Sequence, residues 1–166
     1  MSANITQPAT SVSLQSLVSN VLCTGNNTGS IDLTVNGGTA PYFYSWSNGN
    51  GTQDLTNVIA GTYSVIVTDA KGCQANLSAQ ITQPLNSLSL TLNPTQIACH
   101  SQATGTIDLI VSGGTVNYTY AWSNNATVQD LASVPAGFYS VIVTDANGCT
   151  ATTSTTLTQP LQSLLV

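Results

Sequence analysis

Arginine and glutamate are absent from this 166-residue chain, and lysine and histidine occur once each, at Lys71 and His100. Only 4% of the residues are charged, against about a quarter in ordinary domains. With a net charge of −5 and no basic patch, nucleic acid is excluded as a partner, because its binding rests on Lys and Arg at phosphates. Catalysis is equally short of material. A general base needs an orienting partner, yet there is no second His, no Glu, no Arg and no nucleophile elbow. Paired Asp residues for glycosidic cleavage have no other support in the sequence, and the chain reads as a non-enzyme. No run approaches the ~20 apolar residues of a membrane-spanning helix, so membrane insertion is not expected. The opening MSANITQPAT has neither the basic nor the apolar region of a signal peptide, so an export signal is expected outside this sequence.

What is present is neutral and polar: 25 Thr, 19 Ser and 15 Asn carry solubility. A hydrophobic content of 42% is enough for a packed core and sets the chain apart from a disordered Ser/Thr tract. The dominant feature is repetition. Residues 61–73 read GTYSVIVTDAKGC and residues 137–149 read GFYSVIVTDANGC, 76 positions apart. The offset holds without a gap, and residues 9–84 and 85–160 agree at 39 of 76 positions. A period of that length is too long for a solenoid repeat and suits a string of small domains. The expected organisation is a tail of a preceding repeat at 1–8, repeats at 9–84 and 85–160, and the start of another at 161–166. This phase points to an excerpt from a longer array. The alternative is a subunit whose end segment completes a neighbour by strand addition.

The apolar pattern has period two. Ile31, Leu33 and Val35 alternate with polar residues, Tyr42, Tyr44 and Trp46 share one parity, and Tyr63, Val65 and Val67 share another. Short alternating runs between Gly/Asn/Asp turns signal an all-β fold of tandem Ig-like or PKD-like antiparallel sandwiches. Strands are expected near 11–18, 30–36, 42–47, 52–57, 62–68 and 73–82, with turns at Gly37-Gly38 and Asp69-Ala70-Lys71-Gly72. Trp46, Trp122, Tyr63 and Tyr139 are the expected core aromatics. An exposed stacking platform for sugars built on Tyr42, Tyr44 and Trp46 is the competing reading.

Each repeat has two cysteines 50 positions apart, Cys23 with Cys73 and Cys99 with Cys149. One disulfide within each repeat is the simplest of the three connectivities, and closing such a loop stabilises by roughly 3–4 kcal/mol in the chain-entropy model. Free buried thiols are the alternative; zinc lacks both CxxC pairs and a second His. Disulfides place the chain in an oxidising, extracellular setting. The six carboxylates fall at equivalent places, Asp32/Asp108, Asp54/Asp130 and Asp69/Asp145. Calcium, which takes several oxygen ligands, is the cofactor they bring to mind, but no two lie within four residues of each other. Structural roles are therefore expected: Asp69 in its turn, Asp54 capping a short turn before Leu55, Asp32 on a polar strand face. Asn-X-Ser/Thr matches at Asn4, Asn26, Asn50, Asn76, Asn117 and Asn125 matter only in a host with N-linked glycosylation.

GGTAPYFYSWSNG at 37–49 and TQDLTNVIAGTYSVIVTDAKGC at 52–73, with GGTVNYTYAWSNN at 113–125 and VQDLASVPAGFYSVIVTDANGC at 128–149, resemble the SprB repeat. The resemblance covers nearly the whole chain. It implies a very large secreted surface protein of Bacteroidota, exported by the type IX system, whose namesake is a filamentous adhesin moved along the cell during gliding. In such proteins the repeats are understood as stalk material. Ile59, where the second repeat has Pro135, and Asn117, where the first has Pro41, depart from the pattern. The expected function is therefore a non-enzymatic stalk of a cell-surface adhesin or fibre, with neighbouring repeats or other copies as partners. A filament subunit joined by terminal strand addition and a module binding glycan or surface polysaccharide are the alternatives.

Overall fold

The structure is a computed structural model that describes residues 11–161. The expected tail at 1–8 and residues 162–166 lie outside the described residues. The chain divides into two compact units, Met1–Gln83 and Pro84–Val166, and among the described residues every regular element is a strand.

In unit 1, β1 (Ser13–Ser19), β2 (Gly29–Asn36) and β4 (Leu55–Val58) form one antiparallel sheet in the order β1-β2-β4, while β3 (Phe43–Trp46), β5 (Gly61–Thr68) and β6 (Gln74–Ile81) form a second in the order β3-β5-β6. Unit 2 repeats the plan: β7 (Ser89–Thr95), β8 (Gly105–Ser112) and β10 (Leu131–Val134) make one sheet, β9 (Thr119–Trp122), β11 (Gly137–Thr144) and β12 (Thr150–Leu157) the other. These orders are those of strands A-B-E and C-F-G of an immunoglobulin constant-type sandwich. The expected all-β tandem sandwich is thus the observed fold.

Period two becomes a two-sided strand because successive side chains point to opposite faces. In β2, Ile31 and Leu33 are fully buried while Asp32 and Thr34 face solvent; in β5, Tyr63, Val65 and Val67 turn inward. These meet Trp46, Leu55 and Ile81 in one core, and unit 2 packs Ile107, Leu109, Trp122, Val141, Val143 and Leu157 likewise. Each such aliphatic side chain contributes about 1.5–3 kcal/mol relative to exposure. Gly29 and Gly105 open β2 and β8 because a Cβ there would lie 2.8 Å and 2.9 Å from the carbonyl oxygens of Val58 and Val134.

Two immunoglobulin hallmarks appear. The Trp sits on the C-equivalent strand, its indole N–H donating to Thr52 O at 2.9 Å (Trp122 to Val128 O, 2.9 Å). The Tyr63 hydroxyl donates back to Ile59 O at 3.0 Å, and Tyr139 to Pro135 O at 2.9 Å, as in a tyrosine corner. Ile59 and Pro135 serve alike there because only their carbonyls are used. Where that corner is followed two residues on by a core cysteine in antibody domains, Val65 and Val141 stand here.

Candidate functional site

Each unit has two ends, best defined by their hydrogen bonds. At the leading end, where the chain arrives, Asp69 is 2% exposed and Asp145 5%. One oxygen of Asp69 accepts from the amides of Lys71 (2.9 Å) and Cys73 (2.8 Å); the other accepts from Thr39 N (2.9 Å), just past the Gly37-Gly38 turn. Asp145 does the same with Asn147, Cys149 and Thr115 at 2.9, 2.8 and 2.9 Å. Burial opposes the charge of each carboxylate, but these amides outweigh it and hold both below the usual Asp value, with the Cys73 thiol adding to the effect at Asp69. Ala70 N donates to Thr39 O and Ala146 N to Thr115 O. One Asp therefore ties two turns together, which is why the TDAxGC phrase recurs.

At the trailing end, Val21 N donates to Thr82 O (2.9 Å), Thr82 N to Asn20 Oδ1 (2.9 Å) and Gly25 N to Gln83 Oε1 (2.9 Å). Unit 2 matches this with Ile97 to Thr158 O, Thr158 N to Gln96 Oε1, and Ser101 N to Gln159 Oε1. The Thr-Gln of each ITQP-like phrase thus pins the loop that follows the first strand.

Asp54 does not cap a turn before Leu55. Its Oδ1 accepts from Leu33 N at 2.9 Å, and Gln53 Nε2 donates to Leu33 O at 2.6 Å. Asp130 and Gln129 hold Leu109 at 2.9 and 2.7 Å. The pairing of β2 with β4 shifts register between Gly29 and Ile31, and beyond Leu55 the two side chains supply the ladder bonds that backbone would otherwise make. This is also why β4 begins at Leu55 and not at 52. Tyr44 and Tyr120 donate to Gln53 and Gln129 at 3.1 Å; burial, then the charge of Asp54 or Asp130, then Tyr42 or Tyr118 push their hydroxyls above the ordinary tyrosine value.

The six Asp residues are not brought together: Asp69 and Asp145 lie in turns, Asp54 and Asp130 on Leu33 and Leu109, and Asp32 and Asp108 on exposed strand faces. Among the described residues no three His, Cys, Asp or Glu side chains are grouped to hold a metal. Trp46, Trp122, Tyr63 and Tyr139 lie in the cores. Tyr42 and Tyr44 are half-buried against the first core, Tyr42 donating to Gly37 O at 2.6 Å, so they do not form an open platform with Trp46. Phe43 and Phe138 are each 64% exposed, one in each unit. His100 Nδ1 lies 2.8 Å from Ser101 Oγ.

The cysteines depart most from expectation. Cys73 and Cys99, each expected to pair within its own repeat, are free thiols and exposed. Within each unit the strands hold the two cysteines at opposite ends. Cys73 precedes β6 at the leading end, and Thr82, bonded to Val21, follows β6 at the trailing end. The nine steps from Cys73 to Thr82 span ~30 Å of strand, and the two steps from Val21 to Cys23 recover only ~7 Å. A disulfide needs Cα atoms within about 7 Å. β12 separates Cys149 from Cys99 in the same way.

Fold and polar scaffold together define the chain as a tandem of small, Ig-like antiparallel sandwiches. Residues 16–51 and 91–127 each match the SprB repeat model, once in each unit. The chain is similar in fold to the N-terminal eight Ig domains of Down syndrome cell adhesion molecule isoform 1.30.30 (TM-score 0.44, 12% identity, 90% of this chain and 25% of that one). Similar figures hold for Drosophila OTK extracellular domains 3–5 (0.42, 14%, 89% and 62%) and for DIP-gamma IG1+IG2 (0.41, 7%, 90% and 98%). No curated protein matches the sequence.

Proposed function

We propose that the two repeats are stalk segments of an extracellular surface adhesin or fibre, working as spacers rather than as its ligand-binding tip. The observation that supports this most is what the repeated polar residues do. Asp69/Asp145, Gln53-Asp54/Gln129-Asp130, Trp46/Trp122, Tyr63/Tyr139 and Gln83/Gln159 each hold backbone to backbone, with matching partners in the two units. Residues kept in both copies thus keep the sandwich closed. The two matches to the SprB repeat model support an extracellular, cell-surface setting. A role in gliding and an origin in Bacteroidota belong to this proposal through the family alone.

The Thr-rich, nearly uncharged surface offers little repulsion to lateral packing in a fibre. A glycan-binding module would be favoured by two or more exposed rings on one unit, whereas Phe43 and Phe138 stand on different units. Pulling single molecules by their ends under reducing conditions tests the reading. Two unfolding steps of similar force are expected, each releasing ~25 nm for ~70 ordered residues. One weak, gradual extension would overturn a load-bearing role, and retention on a glycan array that Phe43→Ala abolishes would favour the binding module.

A further inference from the structure

We propose that each repeat carries a mechanical latch at its trailing end: the loop after the first strand grips the exit of the last strand, and tension along the chain loads that grip and both terminal strands in shear. The latch rests on the stalk reading for its use, and on the geometry of a single unit for its working.

Three observations carry it. First, the two terminal strands of a unit run the same way. Val12 arrives at the leading end beside Gly38, where a Cβ would lie 2.6 Å from Val12 Cγ2. β1 then runs to the trailing end, where Val21 N donates to Thr82 O. β6 starts after Cys73 at the leading end and finishes before Thr82. The chain therefore enters a unit at one end and leaves it at the other, with β1 beside β6 and β7 beside β12. Tension draws the first strand towards the leading end and the last towards the trailing end. Ladder bonds lie across that direction. Ser13–Ser19 on β2 and Gln74–Ile81 on β5 must therefore each slide as a whole and cannot open one pair at a time.

Second, the exit of the last strand is tied directly to the segment after the first. The Thr82 carbonyl takes Val21 N, the Thr82 amide donates to Asn20 Oδ1, and Gln83 Oε1 takes Gly25 N, each at 2.9 Å. Unit 2 makes the same three bonds with Ile97, Gln96 and Ser101, and adds Thr158 Oγ1 donating to Gln96 Oε1 at 3.0 Å. These bonds cross from one pulled strand to the other. Third, the loop holds a strained backbone to make them. Gly25 sits at φ +82° and Ser101 at φ +60°, a region that disfavours a side chain. Strain of that kind persists only where its surroundings fix it, and the bond to Gln159 does so at Ser101.

The test pulls single molecules by their ends at constant force under reducing conditions. It compares the unaltered chain with the double variant Asn20→Ala, Gln83→Ala, which removes two exposed side chains of the latch, and with Asp54→Ala, which removes the bond to Leu33 N between β2 and β4. With unit 2 as internal control, the double variant should unfold in one of its two steps roughly 10-fold faster. Asp54→Ala should stay within about two-fold. Calorimetry should rank the two the other way, with Asp54→Ala the more destabilising, because forced unfolding reads the barrier and not the equilibrium. Equal acceleration by both variants, or none by the double variant, would overturn the latch and leave the stalk reading standing. Extension of the unaltered chain without steps would overturn the stalk reading and the latch with it.

Discussion

The two ends of a sandwich are kept alike in the two repeats for different reasons. At the leading end Asp69-Ala70-Lys71-Gly72-Cys73 and Asp145-Ala146-Asn147-Gly148-Cys149 differ at one residue. The buried carboxylate explains why: it takes three amides, and the Gly that follows sits at φ +83° and +81°, where other residues are strained. At the trailing end Gly25 has become Ser101, Asn20 has become Gln96 and Thr24 has become His100, yet the bonds to Thr82/Thr158 and Gln83/Gln159 are made in both units. Chemistry survives there while residues change, because an amide side chain of either length reaches the backbone. Residue identity is kept at the leading end, and hydrogen-bonding capacity at the trailing end.

Substitutions can break this comparison one unit at a time, with the other unit as control. Trp122→Ala removes the largest core side chain and its bond to Val128 O, and is expected to destabilise unit 2 by about 3–5 kcal/mol. Calorimetry should then show two separated transitions with the unit 1 transition in place. Asp130→Ala leaves Leu109 N–H without its partner, at a cost of ~1–3 kcal/mol. Asp54→Ala should lower the unit 1 transition by a matching amount, and unequal losses would show that the Gln-Asp clamps are not equivalent.

Acid gives a smaller, shared effect. Asp69 and Asp145 are held below their ordinary value, so their contribution is full above the unfolded carboxylate range near pH 3.9 and is lost as pH falls through the folded values. Thermal melts should be flat from neutrality to about pH 4 and fall below it, and the double variant Asp69→Asn, Asp145→Asn should lack most of that slope. Tyr44 and Tyr120 are raised, which predicts a second decline above about pH 10, absent in Tyr44→Phe, Tyr120→Phe. The smallest effect belongs to the exposed pair: Asp32→Asn and Asp108→Asn should each change stability by no more than about 0.5 kcal/mol, with or without calcium in the melt. A large calcium-dependent shift lost in Asp32→Asn would make those strand faces a site.

Strands were legible where both sides of a run are marked. Expected 30–36 and 62–68 are observed as Gly29–Asn36 and Gly61–Thr68, because alternation is a local signal and the Gly turns bound it. The core aromatics follow from the same parity. What could not be read was anything that depends on which strand ends meet. A spacing of 50 residues between cysteines says nothing about whether an intervening strand carries them apart, and here β6 and β12 do. The clamp of Gln53 and Asp54 on Leu33 was hidden for the same reason, since it joins residues 20 and 21 positions apart across a register shift. The recurrence of Gln-Asp-Leu in both repeats was the available signal. Asn117, at φ +81°, stands where the first repeat has Pro41 of the cis Ala40–Pro41 peptide, two backbone paths to one turn. Tyr118 still donates to Gly113 O at 2.7 Å as Tyr42 does to Gly37 O at 2.6 Å.

The most direct test of a stalk built from two successive sandwiches is to pull the reduced chain by its ends. Two steps of similar force, each releasing ~25 nm, are expected. A single gradual extension without steps would contradict the account.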